Sequence, residues 1–588
     1  MIFFCRGWLK RLFFLFVGCG LAWVSASGCL HKKIQIVGSR HDSDWPIEDP
    51  KTSLYNALLH WRRFSDQGKV DKAIEALEEA LHIDNHSPFI LTRLAYEYTR
   101  KNDLVRGEQM AQMAVGLDPN YRDAHYLLGK VYAARGEWIK GEESLKKVIE
   151  LDQEAPEEGI IALSVLYVES KQPEKAIETL KAFLEKDASH LLAHYYLGRV
   201  YSEMNQLDLA LKAYEAAVDI NPTFSAAQKA IAFIYEYQGK AKEAIHSFEK
   251  VLEAEPDNVD VRNHLGQLYI EQQDYVRALK EFEQVVKLQP NDATARLRIG
   301  LIHLRQEEYQ KAEKTFSELL KEVPALDQVR YYLGLVFEKQ GKVENAVKVL
   351  EQVKSSSSVY IDAQLVLGFV YEGHENLGSA ESTLRKALKE KPTATSVRAG
   401  LAGVLVKQRR YEEAITLLEQ GISKSSKDET LWFSLAEVYD KMGNLPKFVE
   451  CVKTVIEVNP DNANALNYLG YTYAEKRINL AEAEQLIKRA LEIKPKDGYI
   501  TDSLGWVYYQ MGMLNDAIKK LEEAMGLAPN EPVIMEHFAD ALIKHGNSQR
   551  AREIYEQAFK LSRDKLEKQR IDDKIKALPK SQDSSSEL

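Results

Sequence analysis

Cysteine is nearly missing from this 588-residue chain, which has four, at positions 5, 19, 29 and 451. Three of them crowd the first 29 residues, so Cys451 stands alone in the body of the chain and no disulfide framework can staple it. Its ordinary reading is a small apolar packer. The motifs of chemistry are missing too. There is no CxxC pair, HExxH helix, Walker phosphate loop, glycine-rich dinucleotide fingerprint or Gly-x-Ser-x-Gly elbow. The fourteen histidines are scattered, and none has a metal-ligand spacing to cysteine, so no metal and no cofactor is expected. Paired acids such as Glu412 and Glu413 read as solvated helix faces, so no catalytic residue is assigned and an enzyme is not expected. Basic excess is absent: 78 Lys and Arg stand against 88 Asp and Glu, a net charge of −10, which argues against a nucleic-acid partner.

What the chain does have is a period. Small residues recur every 34 positions at Ala210, Ala244, Ala278, Ala312, Ala346, Ala380 and Ala414. The series runs back through Ala176, Gly141, Gly107 and Ala73, and forward through Phe448, Ala483, Ala517 and Ala551. A second small residue sits twelve positions earlier in most units, as at Gly198, Ala232, Gly266, Gly300, Gly334 and Gly505. A large ring follows three residues after that one, as at Tyr98, Tyr132, Tyr201, Tyr269 and Tyr508. Proline often closes the unit, as at Pro222, Pro256, Pro290 and Pro460. Fifteen units fit between Leu54 and Leu561. A fixed period of this length means an array of stacked supersecondary units.

Each unit reads as a helix hairpin. Leu197, Gly198 and Tyr201 share one helical stripe, and Ala210, Tyr214 and Ala217 share another. Small residues on both stripes let the two helices approach closely. Gly136, Gly239, Gly341, Gly443, Gly512 and Gly546 fall between the helices, where a C-terminal cap calls for positive φ. Two junctions, at Ser358 and Ser426, carry serine where the register expects proline, and local weakness or a bend is expected there.

These positions resemble the tetratricopeptide repeat, a helix–turn–helix unit of 34 residues. The resemblance implies an all-α solenoid, a right-handed superhelix of about fifteen helix hairpins spanning residues 54–561. Residues 562–578 read as a polar capping helix and residues 579–588 as a disordered tail. In this family the groove is lined mainly by positions 2, 5, 9, 12 and 13 of each first helix. In the seventh unit these are Asp260, Asn263, Gln267, Ile270 and Glu271. In the fourteenth they include Tyr499, Asp502, Trp506 and Tyr509, and neighbouring units add Tyr471, Glu475, Glu536 and Asp540. Rings interleaved with acids are the composition of a binding hot spot, so Tyr471, Tyr499, Asp502, Trp506, Tyr509, Glu536 and Asp540 are the candidate partner-binding residues. The alternative for these rings is packing against the next unit. The family's carboxylate clamp for chaperone tails is not matched, since Phe233 follows Lys229 in the register.

The first 28 residues differ from the rest. Lys10 and Arg11 precede an apolar run from Leu12 to Val24, thirteen residues long. That is short of the roughly 20 a membrane span needs and suits a signal-peptide core. The run leads to Ala26-Ser27-Gly28-Cys29, which resembles the bacterial lipoprotein signal. The resemblance implies cleavage after residue 28, a lipid on Cys29 and a polar tether over residues 29–53. Leu30, in place of aspartate, implies the outer membrane. The stretch from Ala465 to Gly512 resembles large bacterial repeat lipoproteins, including an adaptor type that binds a carboxyl-terminal processing protease and presents cell-wall hydrolases to it. The expectation is therefore a periplasm-facing outer-membrane scaffold that holds protein partners. The rival expectation is a structural subunit of an envelope machine for outer-membrane protein insertion, pilus assembly or polysaccharide export.

Overall fold

The computed structural model describes residues 49–578, and among them it contains thirty-one helices and no strand. The expected signal, the Cys29 lipid site, most of the tether and the expected tail at 579–588 lie outside the described residues. The tether ends earlier than residue 53: Asp49 caps a helix that begins at Pro50. No described helix is long and apolar enough to cross a membrane.

The helices pair as fifteen hairpins followed by one last helix, Lys565–Ala577. Every hairpin turns through a residue of positive φ, and the series keeps the sequence period. Six of these are the glycines named above, and Gly68 is a seventh. Elsewhere the same place is taken by Asn102, Lys171, Asn205, Gln273, Glu307, Glu375, Arg409 and Arg477. The left-handed turn is thus imposed by the hairpin rather than by glycine. A side chain there carries local strain that packing on both sides overcomes.

The small-residue rows do what close approach requires. Ala210, Ala244, Ala278, Ala312, Ala346, Ala380 and Ala414 are all fully buried. A Cβ on Gly266 would stand 2.5 Å from Phe282, and one on Gly505 would stand 2.6 Å from Leu521. Glycine leaves the room those side chains fill. The recurring ring joins successive hairpins: the hydroxyl of Tyr98 donates to Glu78 at 2.7 Å, and Tyr269 to Glu249 at 2.7 Å. Cys451 is buried, and burial pushes its thiol up to about 12, as suits an inert packing residue.

The chain divides into two compact units, up to Ala216 and from Ala217. In the first, core rows such as Leu77, Ile90, Leu94 and Tyr98 lie between successive hairpins. In the second, a continuous core runs from Leu350 to Ile571. The serine-rich junction near Ser358 follows a short helix. The preceding second helix, Val343–Leu350, has 8 residues where Tyr275–Leu288 has 14. The helix before Ser426, Tyr411–Ile422, keeps 12.

Candidate protein interface

The first helix of the fourteenth hairpin is Gly498–Met511. Asp497 starts it by accepting from the amides of Tyr499 at 3.0 Å and Ile500 at 3.1 Å. Gly512, at φ 81°, ends it. A helix fixed at both ends holds Asp502, Trp506 and Tyr509 on one stripe. The next first helix, Pro532–Lys544, brings Glu536, His537 and Asp540 beside that stripe.

His537, which the repeat register alone does not single out, is the centre of the cluster. Its Nδ1 lies 2.9 Å from Oδ2 and 3.1 Å from Oδ1 of Asp502. The Trp506 ring stacks on His537 at 4.2 Å and on Tyr509 at 4.7 Å. Tyr471 approaches His537 at 6.3 Å, and Lys544 sits 4.3 Å over Tyr509. The acids are already answered within the chain. Arg570 donates to Glu536 at 2.9 Å and 2.6 Å, and Lys574 contacts Glu536 and Asp540 at 2.7 Å each. The Tyr555 hydroxyl also donates to Asp540.

Six of the seven candidate residues therefore come together, and Tyr499 stands apart, 56% exposed. Two of the candidate acids are already engaged within the chain. Asp502 and Glu536 are 5% and 4% exposed and paired internally, because neighbouring first helices bring a histidine and two cations within bonding distance. Trp506 is half-buried, and part of the ring expected for a partner packs against the next hairpin instead. Among the described residues its Nε1 has no acceptor, and Oδ1 of Asn467, on the preceding first helix, has no donor. Sequence offered a signal for the cations: adding one 34-residue period to Glu536 and Asp540 gives Arg570 and Lys574.

The electrostatics follow from this packing. Burial, with Glu475 and Asp502 nearby, pushes the Tyr471 hydroxyl up to about 12. Burial alone would raise the Glu536 carboxyl, but its bonds to Arg570 and Lys574 outweigh that and hold it below the ordinary carboxylate range. No group of three or more His, Cys, Asp or Glu among the described residues could hold a metal ion.

The same register positions look different in the eighth to eleventh hairpins. Leu301, Leu335, Phe369 and Gly403 occupy the place of Trp506, and Leu297, Tyr331, Leu365 and Ala399 occupy that of Asp502. Phe369 is 63% exposed. Beside it in the register, a Cβ on Gly403 would meet nothing within 4 Å.

Models of the tetratricopeptide repeat (TPR) match residues 192–224, 237–298, 269–336, 328–357, 371–435 and 405–470. The chain carries tetratricopeptide repeats. A TPR repeat-containing protein of Pseudomonas aeruginosa is 28% identical over 155 residues, 26% of this chain and 26% of that one. Lipopolysaccharide assembly protein B of Escherichia coli K12 is 25% identical over 149 residues, 24% of this chain and 36% of that one. The matched stretch thus spans only about a quarter to a third of these curated relatives. Among solved structures, Naa15/Naa10 bound to HypK-THB aligns over 90% of this chain and 95% of its own, at 14% identity and a TM-score of 0.38. As a TPR protein the chain is suited to protein–protein interaction.

Proposed function

We propose that this chain is a lipid-anchored scaffold of the bacterial envelope, facing the periplasm from the outer membrane, which holds protein partners along the first-helix faces of its repeats. The observation that carries the reading is the apolar row at Leu301, Leu335 and Phe369, half-buried at the two leucines and exposed at the ring, where a protein in water gains by covering such side chains with a partner. The anchor is assigned to Cys29, after Ala26-Ser27-Gly28. An anchor confines the scaffold to a surface, and two sites on one chain raise the effective concentration of one partner near another. A carboxyl-terminal processing protease with its cell-wall hydrolase substrates suits that arrangement, on the resemblance of the segment Ala465 to Gly512. A second reading, a structural subunit of an envelope assembly or export machine, is favoured by the partial match to lipopolysaccharide assembly protein B.

Capture of the tagged chain from detergent-solubilised envelopes separates the two. Recovery of a protease with hydrolases supports the adaptor, and recovery of assembly or export subunits supports the second reading. Capture that is equally efficient for Phe369→Ala removes the site from both. For the anchor, mass spectrometry should find an acylated chain starting at Cys29, and Cys29→Ala should leave the protein without acyl groups. A wild-type chain that starts elsewhere and lacks lipid sinks the anchor.

A further inference from the structure

The last helix, Lys565–Ala577, holds the register position of one more first helix but is attached differently from the others. Of its 13 residues only Ile571 is buried, whereas the first helix of the fourteenth hairpin buries nine and that of the fifteenth eight. Leu566 near its start is 83% exposed. Besides Ile571, the helix end is held by Ile575 and Leu578 packing against the core, Ser562 donating to Glu567 at 2.6 Å, Lys568 over Phe559, and Arg552 donating to the carbonyl of Leu578. Its contact with the first-helix face is made by charge, Arg570 and Lys574 against Glu536 and Asp540.

That contact shows what the face accepts. Arg570 and Lys574 lie four residues apart, as do Glu536 and Asp540, so two helices side by side match them pair for pair. At positions 5, 9, 12 and 13 of the twelfth to fifteenth first helices stand Glu437, Asp440, Glu475, Asp502, Glu536 and Asp540, against two lysines, Lys441 and Lys544. Glu536 is buried, and a buried carboxylate without a counter-charge is costly, so the face is stable only with cations on it. Next to the acids, the half-buried Trp506 stacks on the buried His537, and among the described residues the Trp506 Nε1 lacks an acceptor.

We infer that the face formed by Trp506, Glu536, His537 and Asp540 is a docking surface for a lysine- or arginine-bearing helical segment of a protein partner, which takes the place of the chain's own last helix. This rests on the scaffold reading above and adds to it the chemistry of the partner and the end of the array where it docks. The last helix protects the acids until the partner segment arrives. Exchange breaks the ion pairs and the contacts of Ile571, Ile575 and Leu578 at the edge of the core, fewer apolar side chains than either preceding first helix buries.

The test uses the full chain and a fluorescent synthetic peptide copying Arg563 to Leu578, followed by anisotropy. Arg570→Glu with Lys574→Glu turns the chain's own helix against the face. The peptide should then bind about tenfold or more tightly than to the wild type, since each ~1.4 kcal/mol is a factor of ten. Adding Glu536→Gln and Asp540→Asn should abolish that gain, and raising salt should weaken binding. Ile571→Ser releases the helix through its apolar contact instead, and it carries the test if circular dichroism shows the charge-reversed chain unfolded. A peptide that binds no released variant, or binds regardless of Glu536 and Asp540, overturns the inference. Envelope capture by the wild-type chain is read separately. Capture that persists while exchange fails removes only this inference, and loss of capture with Phe369 intact removes the scaffold reading.

Discussion

The eighth to eleventh hairpins and the thirteenth to fifteenth present side chains from the same positions of the repeat, and the two sets end in opposite conditions. In the first set the row Leu301, Leu335, Phe369 is apolar, with Phe369 largely exposed beside the open space at Gly403. In the second the row Tyr471, Trp506, Asp540 is stacked, hydrogen-bonded and met by the last helix. The repeat dictates direction in both. Availability depends on what the neighbouring helix brings, which is Gly403 beside Phe369 in one case and a histidine or a cation in the other. A position number in a repeat is therefore a statement about geometry and not about function.

Four experiments press on that contrast, beginning with the largest effect. Leu504 is 3% exposed in the core behind the aromatic face, and Leu504→Ala should cost about 2–5 kcal/mol. Urea unfolding with hydrogen exchange should show the loss centred on the fourteenth hairpin, because array stability is a sum of nearest-neighbour interfaces. Unchanged protection there would mean that the face is not backed by this core.

Trp506→Ala should cost less, about 1–3 kcal/mol, since the ring is half-buried and loses its stacks on Tyr509 and His537. Partner affinity should fall by about 2 kcal/mol or more if the ring is an anchor. A variant that melts earlier and binds normally once folded assigns the ring to packing alone.

The grip on the last helix should depend on pH. The Glu536 carboxyl is held below its ordinary value of 4.5, so its stabilisation is present at neutral pH and is lost as pH falls through the depressed folded value. Hydrogen exchange across Lys565–Ala577 should stay slow down to the ordinary carboxylate range and quicken below it. Exchange that is already fast at neutral pH breaks the picture of a charge-held helix.

Phe369→Ala should change stability by no more than about 0.5 kcal/mol, since the ring is mostly in water. Its effect should appear in partner capture instead. A marked drop in melting temperature would show that the open set is as packed as the other.

The array was legible in the sequence. A period of 34 with small residues in two rows can be satisfied by packed hairpins, and that pattern alone assigns Ala210 and Gly266 to helix contacts, where both are found. Turns were legible where glycine marks them, but Lys171, Glu307 and Arg409 adopt the same left-handed conformation without that mark. The short helix at Val343–Leu350 had a partial signal in the serines of its junction.

By itself the sequence determined the period, the hairpins and the core, because helix periodicity is a local property and a repeated pattern states it fifteen times over. It also brought Tyr471, Asp502, Trp506, Tyr509, Glu536 and Asp540 to one face. Tertiary structure decided the condition of that face. Whether Asp502 meets water or His537, and whether Glu536 stands free or holds Arg570, depends on distances between helices a full repeat apart. A charge pattern along one helix does not contain those distances.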